Sequence, residues 1–395
     1  MVWRTPEGFS VKPYYRAEHL KGLEYLNTPP GTFPYTRTSK SENNVWEIRQ
    51  DIGVENAENA NMRALEILEK GVNSIGFRLN SGTVASQDTF SQMLKDIYLE
   101  CISLHLLSGD KTPDYLEFLV QEAKKRNIPV EKLNGSFDFD PFAHLCAYGN
   151  YYDSKQFDFI KAKDILTKGI AQIPHFKMIS ANGALFNKAG ASILQELAFT
   201  LAIGCEYVTG LTELGLKAEE IIPRIQFTFG IGSNYFMEIA KLRAARLLWA
   251  KIAESYGVST EKAVMHIHSV TSEWNKTLFD PHVNLLRATT EAMSATLGGT
   301  GSLEVTPFDT PFADESEFSS RIARNIQIIL KEEAHFDKVI DPAAGSYYIE
   351  NLTNSIIEHA WDLFLEVDKQ GGFSKAFETG FIQEKINHNA SQRRK

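Results

Sequence analysis

The chain has 395 residues, 43% of them hydrophobic and 23% charged, with 26 Gly and 14 Pro; this suits an ordinary globular protein and excludes collagenous, coiled-coil and low-complexity classes. Forty-one Lys and Arg against 50 Asp and Glu give a formal charge of −9, so no nucleic-acid partner is expected. No run approaches the ~18 unbroken apolar residues of a membrane span, no secretory signal opens the chain, and three scattered cysteines (Cys101, Cys146, Cys205) point to reduced thiols in a cytoplasmic protein.

Residues 1–41 are rich in Pro, Tyr, Thr and Gly, as in Thr28-Pro29-Pro30-Gly31, and read as an extended N-terminal arm, taken as truncated, rather than a packed element. A helix is expected over Glu55–Lys70. From there short β-rich runs alternate with longer helical patterns. The expected strands are Val72–Leu79, Glu100–Leu106, Val130–Phe137, Phe176–Ala181, Cys205–Gly210, Ile225–Phe229, Ala263–Ser269 and Ser302–Thr306. Between them, Thr112–Arg126 reads as a helix with Thr112 as N-cap and Pro113 at its first position, and Ala189–Ile203 as another. The clearest is Asn234–Tyr256, where Ile239, Leu242, Ala245, Trp249, Ile252 and Tyr256 form one apolar stripe. Eight strands with intervening helices make an α/β fold and favour a (β/α)8 TIM barrel, with its site at the C-terminal strand ends; an open doubly wound sheet is the competing arrangement. Helices over Glu317–Glu333 and Asn351–Lys369 follow, the latter ending at Gly371-Gly372. The division expected is therefore an arm (1–41), a barrel (42–348) and the start of a helical linker (349–395).

Few motifs in this frame carry chemistry by themselves. His266 and His268 are expected at the end of the seventh strand, on one face of it; a metal-dependent hydrolase would need a third ligand that the pattern does not supply, so no metal site is assigned. Gly230-Ile-Gly232 follows the sixth strand, and its backbone N–H groups could cradle an anion, with Asn234 as the cap of the next helix. Gly298-Gly299-Thr300-Gly301 reads as a helix end and tight turn. Arg243 and Arg246 are expected on a solvated or salt-bridged helix face. Arg224 is placed to reach a phosphate or a structural partner.

Several stretches together resemble the methylmalonyl-CoA mutase family: Trp46-Glu-Ile-Arg-Gln50, Lys188-Ala-Gly-Ala191, the run from Arg224 through Gly230-Ile-Gly232 to Arg246, His268-Ser-Val-Thr-Ser-Glu-Trp274, Arg321-Ile-Ala-Arg-Asn325 and Asp341-Pro-Ala-Ala-Gly-Ser-Tyr-Tyr348. The resemblance implies a barrel whose axis CoA threads, and an adenosylcobalamin held between the barrel mouth and a separate C-terminal cobalamin domain. Radical chemistry there interconverts (R)-methylmalonyl-CoA and succinyl-CoA. Asp280-Pro-His282 is only superficially like the cobalamin-ligand motif, since Leu285 stands where Gly is needed.

The departures from the family pattern are informative. The family's catalytic histidine falls on Leu185, in Gly183-Ala184-Leu185, and its adenosyl-binding glutamate falls on Lys188. By gap-free count the wedging tyrosine falls on Ser41 and the carboxylate-clamping arginine on Tyr148, with Asp138 where a glutamine is expected. Arg224 and His268 match positions that contact the CoA thioester or its pantetheine arm and are the residual substrate-binding candidates. The combination is similar to the small, non-catalytic subunits of heterodimeric members. It implies a large catalytic subunit as partner, CoA esters as the remaining ligand class, no catalytic residue here, and adenosylcobalamin bound in the holo-complex but not by this chain. The alternatives are an acyl-CoA mutase of altered specificity and a CoA-ester-binding barrel without catalysis.

Overall fold

A computed structural model describes residues 2–79, 84–313 and 316–394; Met1 and Lys395, the outer ends of the expected arm and linker, lie outside them. In chain order the elements are β1 (Trp3–Arg4), β2 (Ser10–Val11), β3 (Glu47–Val54), α1 (Ala57–Glu69), β4 (Ser74–Leu79), α2 (Gln87–Met93), β5 (Ser103–Leu107), α3 (Thr112–Lys125), β6 (Asn134–Phe139), α4 (Pro141–Tyr148), α5 (Lys155–Gln172), β7 (Lys177–Asn182) and α6 (Ala184–Ala189). They continue with α7 (Ile193–Glu213), α8 (Ala218–Ile221), β8 (Ile225–Ile231), α9 (Tyr235–Ser255), β9 (His266–Thr271), α10 (Val283–Leu297), β10 (Ser302–Glu304), α11 (Glu317–Glu332), α12 (Tyr347–Lys369), α13 (Phe373–Glu378) and α14 (Phe381–Arg393). The eight parallel strands β3 to β10 close into a barrel in the order β10-β3-β4-β5-β6-β7-β8-β9, the (β/α)8 class that the alternation of elements implies.

The eight strands are not the eight expected. Cys205–Gly210 lies inside the long helix α7, and the first barrel strand, Glu47–Val54, was not foreseen. The other seven fall close to their expected places, the largest offset being a start at Asn134 instead of Val130. Glycine misled the reading of α7. Gly204 and Gly210 look like helix terminators, but both are contact glycines: a Cβ on Gly204 would come within 2.9 Å of the Phe227 and Trp249 rings, and one on Gly210 within 2.3 Å of Phe159. At the start of α3 the cap is Lys111, with Thr112 already helical.

By compactness the chain separates into two units, Glu47–Ala181 with Tyr207–Gln226, and Met1–Trp46 with Asn182–Glu206 and Phe227–Lys395. In the first, β3 to β6 show a period-two split. Ile48, Ile52, Ile75, Phe77, Leu104, Leu106, Phe137 and Phe139 are buried on one face, while Glu47, Arg49, Asp51, Ser74, Gly76, Ser103, His105, Ser136 and Asp138 alternate with them. The register lines the polar set up across strands: Asp51 pairs with Gly76, Gly76 with His105, and His105 with Ser136. On these four strands, then, one face is apolar and the other is built from small and charged residues.

In the second unit α9 is buried over most of its length, including Ile239, Leu242, Ala245, Trp249 and Ile252 of the expected stripe. Arg243 and Arg246 are buried too, so no solvated face exists there. Arg243 Nη2 donates to Glu350 Oε2 at 2.7 Å and its Nη1 to Asp341, the salt-bridged alternative. Arg246 donates to the carbonyl oxygens of Tyr35 (3.0 Å) and Gly298 (2.8 Å), and burial pushes its pKa down to about 10, with Asp341 opposing the shift. The arm is packed, contrary to expectation, and carries two 3-10 turns, Ala17–Leu20 and Glu24–Asn27, because its apolar residues find sites on the same unit. Phe9, Val11, Tyr25 and Tyr35 are buried, and Tyr25 Oη donates to Glu350 O at 2.9 Å. Among the described residues no helix is long and apolar enough to cross a membrane.

Candidate functional site

The backbone leaves β7 at Asn182 and turns at once into α6. Gly183 N donates to Thr228 O at 2.8 Å, and a Cβ at Gly183 would meet Thr200 Oγ1 at 2.1 Å, so the turn tolerates no side chain there. Asn182 Oδ1 accepts from Ala184 N at 3.1 Å. Leu185 lies on this six-residue helix, half-buried, and offers neither a proton nor a hydrogen bond. Lys188, one turn on, is exposed and pairs with Glu273 at 2.9 Å. Lys188 thus has an acidic counterpart in the loop after β9.

That same loop is anchored to α6 and α10. Ser272 Oγ donates to Asn187 Oδ1 at 2.6 Å. The fully buried Lys276 donates to Ser272 O at 2.6 Å and faces Glu291 Oε2 at 3.4 Å, while Asn275 Nδ2 donates to Glu291 Oε1 at 2.6 Å. Burial pushes the Glu291 carboxyl up to about 7 and holds the Lys276 ammonium below its usual value, Glu291 opposing the latter shift.

Gly230-Ile231-Gly232 does present its N–H groups to carboxylates, but to its own. Gly230 N donates to Glu196 Oε1 at 2.6 Å and Gly232 N to Glu238 Oε1 at 2.8 Å. Lys241 Nζ sits between the two acids, at 2.7 Å from Glu196 Oε2 and 2.6 Å from Glu238 Oε2, and donates to Gly230 O at 2.6 Å. The cradle is filled by side chains from α7 and α9, which corrects the expectation of an open anion site. Asn234 occupies the cap position of α9 without a side-chain cap bond; its amide contacts Met237 Sδ.

His266 and His268 open β9 instead of closing it, so neither is at a C-terminal strand end. Their apolar lead-in, Ala263 to Met265, lies outside the strand. Buried His268 shares a hydrogen bond with Ser302 Oγ at 2.8 Å. Among the described residues no group of three or more His, Cys, Asp or Glu is arranged to hold a metal. Asp280 to His282 forms the turn ahead of α10, with the His282 ring 5.5 Å from Phe308. Ser41 is exposed.

In the other unit, Arg224 ends a 3-10 turn just ahead of β8. It is half-buried, its Nε has no hydrogen-bond partner among the described residues, and burial lowers its pKa. Lys177, the first residue of β7, is pushed down to about 8 by burial and by the charge of Arg224. Nearby on the polar face, Glu47 accepts from Ser103 Oγ at 2.6 Å and Ser74 Oγ at 3.1 Å, and lies 3.8 Å from His105. His105 also meets Ser74 at 2.9 Å and Ser136 at 2.7 Å; its pKa is lowered by burial, Arg49 adding to the effect. Arg49 Nε donates to Asp51 Oδ1 at 2.6 Å. Asp138 accepts from Ser108 N (2.7 Å) and Gly109 N (2.8 Å), and burial raises its pKa. Tyr148 ends α4 and is 74% exposed, far too open for a clamp on a buried carboxylate. Neither this polar face nor the Glu196–Lys241–Glu238 cluster was foreseen. The signal was the period-two placing of charge in Glu47-Ile-Arg-Gln-Asp-Ile52, at positions 47, 49 and 51.

A sequence model of the methylmalonyl-CoA mutase family matches residues 4–395. The small subunit of methylmalonyl-CoA mutase from Porphyromonas gingivalis is 47% identical over 391 residues, covering 98% of this chain and 62% of that protein. The large subunit from the same organism is 35% identical over 416 residues (99% and 58%), and methylmalonyl-CoA mutase of Rhizobium meliloti 36% over 420 (100% and 59%). The chain thus spans about three fifths of the length of these relatives. With the match running through every stretch that carries the resemblance, the conclusion is direct: the chain belongs to the methylmalonyl-CoA mutase family.

Proposed function

We propose that this barrel is a non-catalytic subunit of a heterodimeric methylmalonyl-CoA mutase and that it supports a large catalytic subunit, with which it interconverts (R)-methylmalonyl-CoA and succinyl-CoA only as part of the complex. The observation that carries this reading is α6. The position of the family's proton donor is Leu185, and position 188 presents an ammonium paired with Glu273 at 2.9 Å instead of a carboxylate. Adenosylcobalamin supplies the radical in the family, and its adenosyl hydroxyls call for an acceptor at position 188. Lys188 is a donor already paired, so the α6 residues do not fit the adenosyl group. The linker role of 349–395, the cytoplasmic location and the arm as a partner contact belong to the same reading. The arm's inner face is packed on its own unit, so the partner would meet its exposed side, where Trp3 and Tyr14 lie.

Co-expression with the large subunit tests this: a stable heterodimer is expected, and two chains that purify separately would remove the assigned role. Turnover of an acyl-CoA by this chain together with a cobalamin-domain protein, abolished by changes around Leu185, would instead establish a mutase of altered specificity.

One observation favours a second reading, a barrel that retains CoA esters without transforming them. The orphaned Arg224 Nε, close in charge to Lys177, is suited to an anionic or carbonyl group. Calorimetry with CoA and succinyl-CoA decides it. Binding weakened by Arg224→Ala and His268→Ala supports the two residues as remnants of the substrate site; heat signals unchanged by either substitution remove both.

A further inference from the structure

The N-terminal arm and the last helix converge on one short stretch of backbone, residues 190–194, which links α6 to the first residues of α7. From the arm, Glu7 accepts hydrogen bonds from Ile193 N at 3.3 Å and Leu194 N at 3.0 Å. One carboxylate thereby satisfies two of the donors that the first turn of α7 leaves without intrahelical partners. From α14, Asn389 Nδ2 donates to Gly190 O at 2.7 Å and Arg393 Nη1 to Ala191 O at 3.0 Å. Gln195 completes the set, accepting from Ser192 N at 3.0 Å and donating to Lys385 O at 3.0 Å. Every residue from 190 to 194 therefore has a backbone group held by a side chain, four of the five from the arm or α14.

Packing fixes the same point. Gly190 has φ +97°, and a Cβ there would lie 2.6 Å from the Trp274 ring and 2.8 Å from Ala390 Cβ. The guanidinium groups of Arg393 and Arg394 sit 5.1 and 5.2 Å from the Trp274 ring centroid, within cation–π range. Trp274 belongs to the loop that holds α6 through Ser272 and Glu273. α6 is thus a six-residue helix set between two closely packed glycines, Gly183 and Gly190, with its far end pinned from three directions.

We propose that the arm and α14 act as one clasp on the α6–α7 junction, so that releasing either end loosens the other and frees α6 to move. The mechanism is shared substrate: both ends bond to successive residues of one turn, so a turn that shifts to follow one end loses its geometry for the other. In this family α6 carries the positions of the proton donor and the adenosyl contact, and the clasp makes their placement depend on both ends of this chain. The inference stands on these contacts and is independent of whether the chain is a non-catalytic subunit.

Hydrogen–deuterium exchange on the full chain tests it, with Glu7→Gln, Asn389→Ala and Arg393→Met compared with wild type. Arg393→Met is expected to raise exchange about fivefold in 184–195 and also in 2–11; Glu7→Gln is expected to do the same in 184–195 and in 381–394. Increases confined to the segment that carries each substitution would overturn the clasp. Lys375→Ala, which removes an exposed pair with Glu378 on α13, is the control and should leave all three segments unchanged. Should Glu7→Gln lose its cooperative melt, Asn389→Ala deletes a single hydrogen bond and carries the same test: raised exchange in 2–11 supports the clasp, and an unchanged 2–11 overturns it.

Discussion

Two lysines of the second unit each meet acidic side chains, and they differ in almost everything else. Lys241 is fully buried between Glu196 and Glu238, with the carbonyl of Gly230 as a third acceptor. Lys188 is 64% exposed and pairs with Glu273. Both contacts are short, and distance alone would rank them equal. Burial separates them. In the interior an ammonium and two carboxylates have given up their hydration, so each depends on the others; at the surface water supplies whatever the partner does not. The buried set fixes the loop after β8, a structural task, while the exposed pair links α6 to the loop after β9 at the surface.

Lys241→Met tests the first half of the contrast most severely. It leaves Glu196 and Glu238 facing each other without a cation and strips Gly230 O of its donor, and a loss of about 3–5 kcal/mol in the free energy of unfolding is expected. Urea denaturation would measure it. The triple variant Glu196→Gln, Glu238→Gln, Lys241→Met should recover most of that loss, because the amide oxygens can still accept from Gly230 N and Gly232 N. A triple variant no better than the single one would mean that the loss comes from Gly230 O left without its donor instead of from the unpaired carboxylates.

A smaller effect concerns pH. Burial raises the Glu291 carboxyl from 4.5 to about 7 and raises that of Glu196 in the same direction. For an acid whose folded pKa is raised, the native state holds the proton more tightly than the unfolded chain does. That contribution is complete below the unfolded value and is lost as pH rises through the folded one. Stability should therefore fall between pH 6 and pH 8, by about 1 kcal/mol for Glu291. Glu291→Gln removes the titrating group, and its urea midpoint should change less over the same interval. Equal slopes for the variant and the wild type would assign the pH dependence elsewhere.

Much of this fold is legible in the sequence, and the parts that are not share a cause. The alternation of elements gave a barrel because apolar runs such as Phe176 to Ala181 stand out against helical stripes such as that of α9. The strand Glu47–Val54 did not stand out, because three of its first five residues are charged and the hydrophobic signal assumes that buried faces are apolar. The buried Lys241 and Arg243 were hidden for the same reason: a charge on a helix reads as solvent-facing until its partners, 45 and 98 residues away in the chain for Glu196 and Asp341, are brought to it. The pairing of Lys188 with Glu273, on another loop, was equally hidden, because the two lie far apart in the chain.

The smallest expected effect closes the contrast. Lys188→Ala should change the unfolding free energy by less than about 1 kcal/mol, since an exposed pair gains little over hydration. Lys188→Glu places a second carboxylate face to face with that of Glu273 and should be somewhat worse at low salt. The penalty should shrink as ionic strength rises to 0.5 M, where screening acts over a few ångströms. Thermal melts of both variants across salt concentrations give the answer. A salt-independent loss as large as that of Lys241→Met would show that position 188 is coupled to the interior, and that the exposed pair holds α6 in place instead of merely neutralising a replaced side chain.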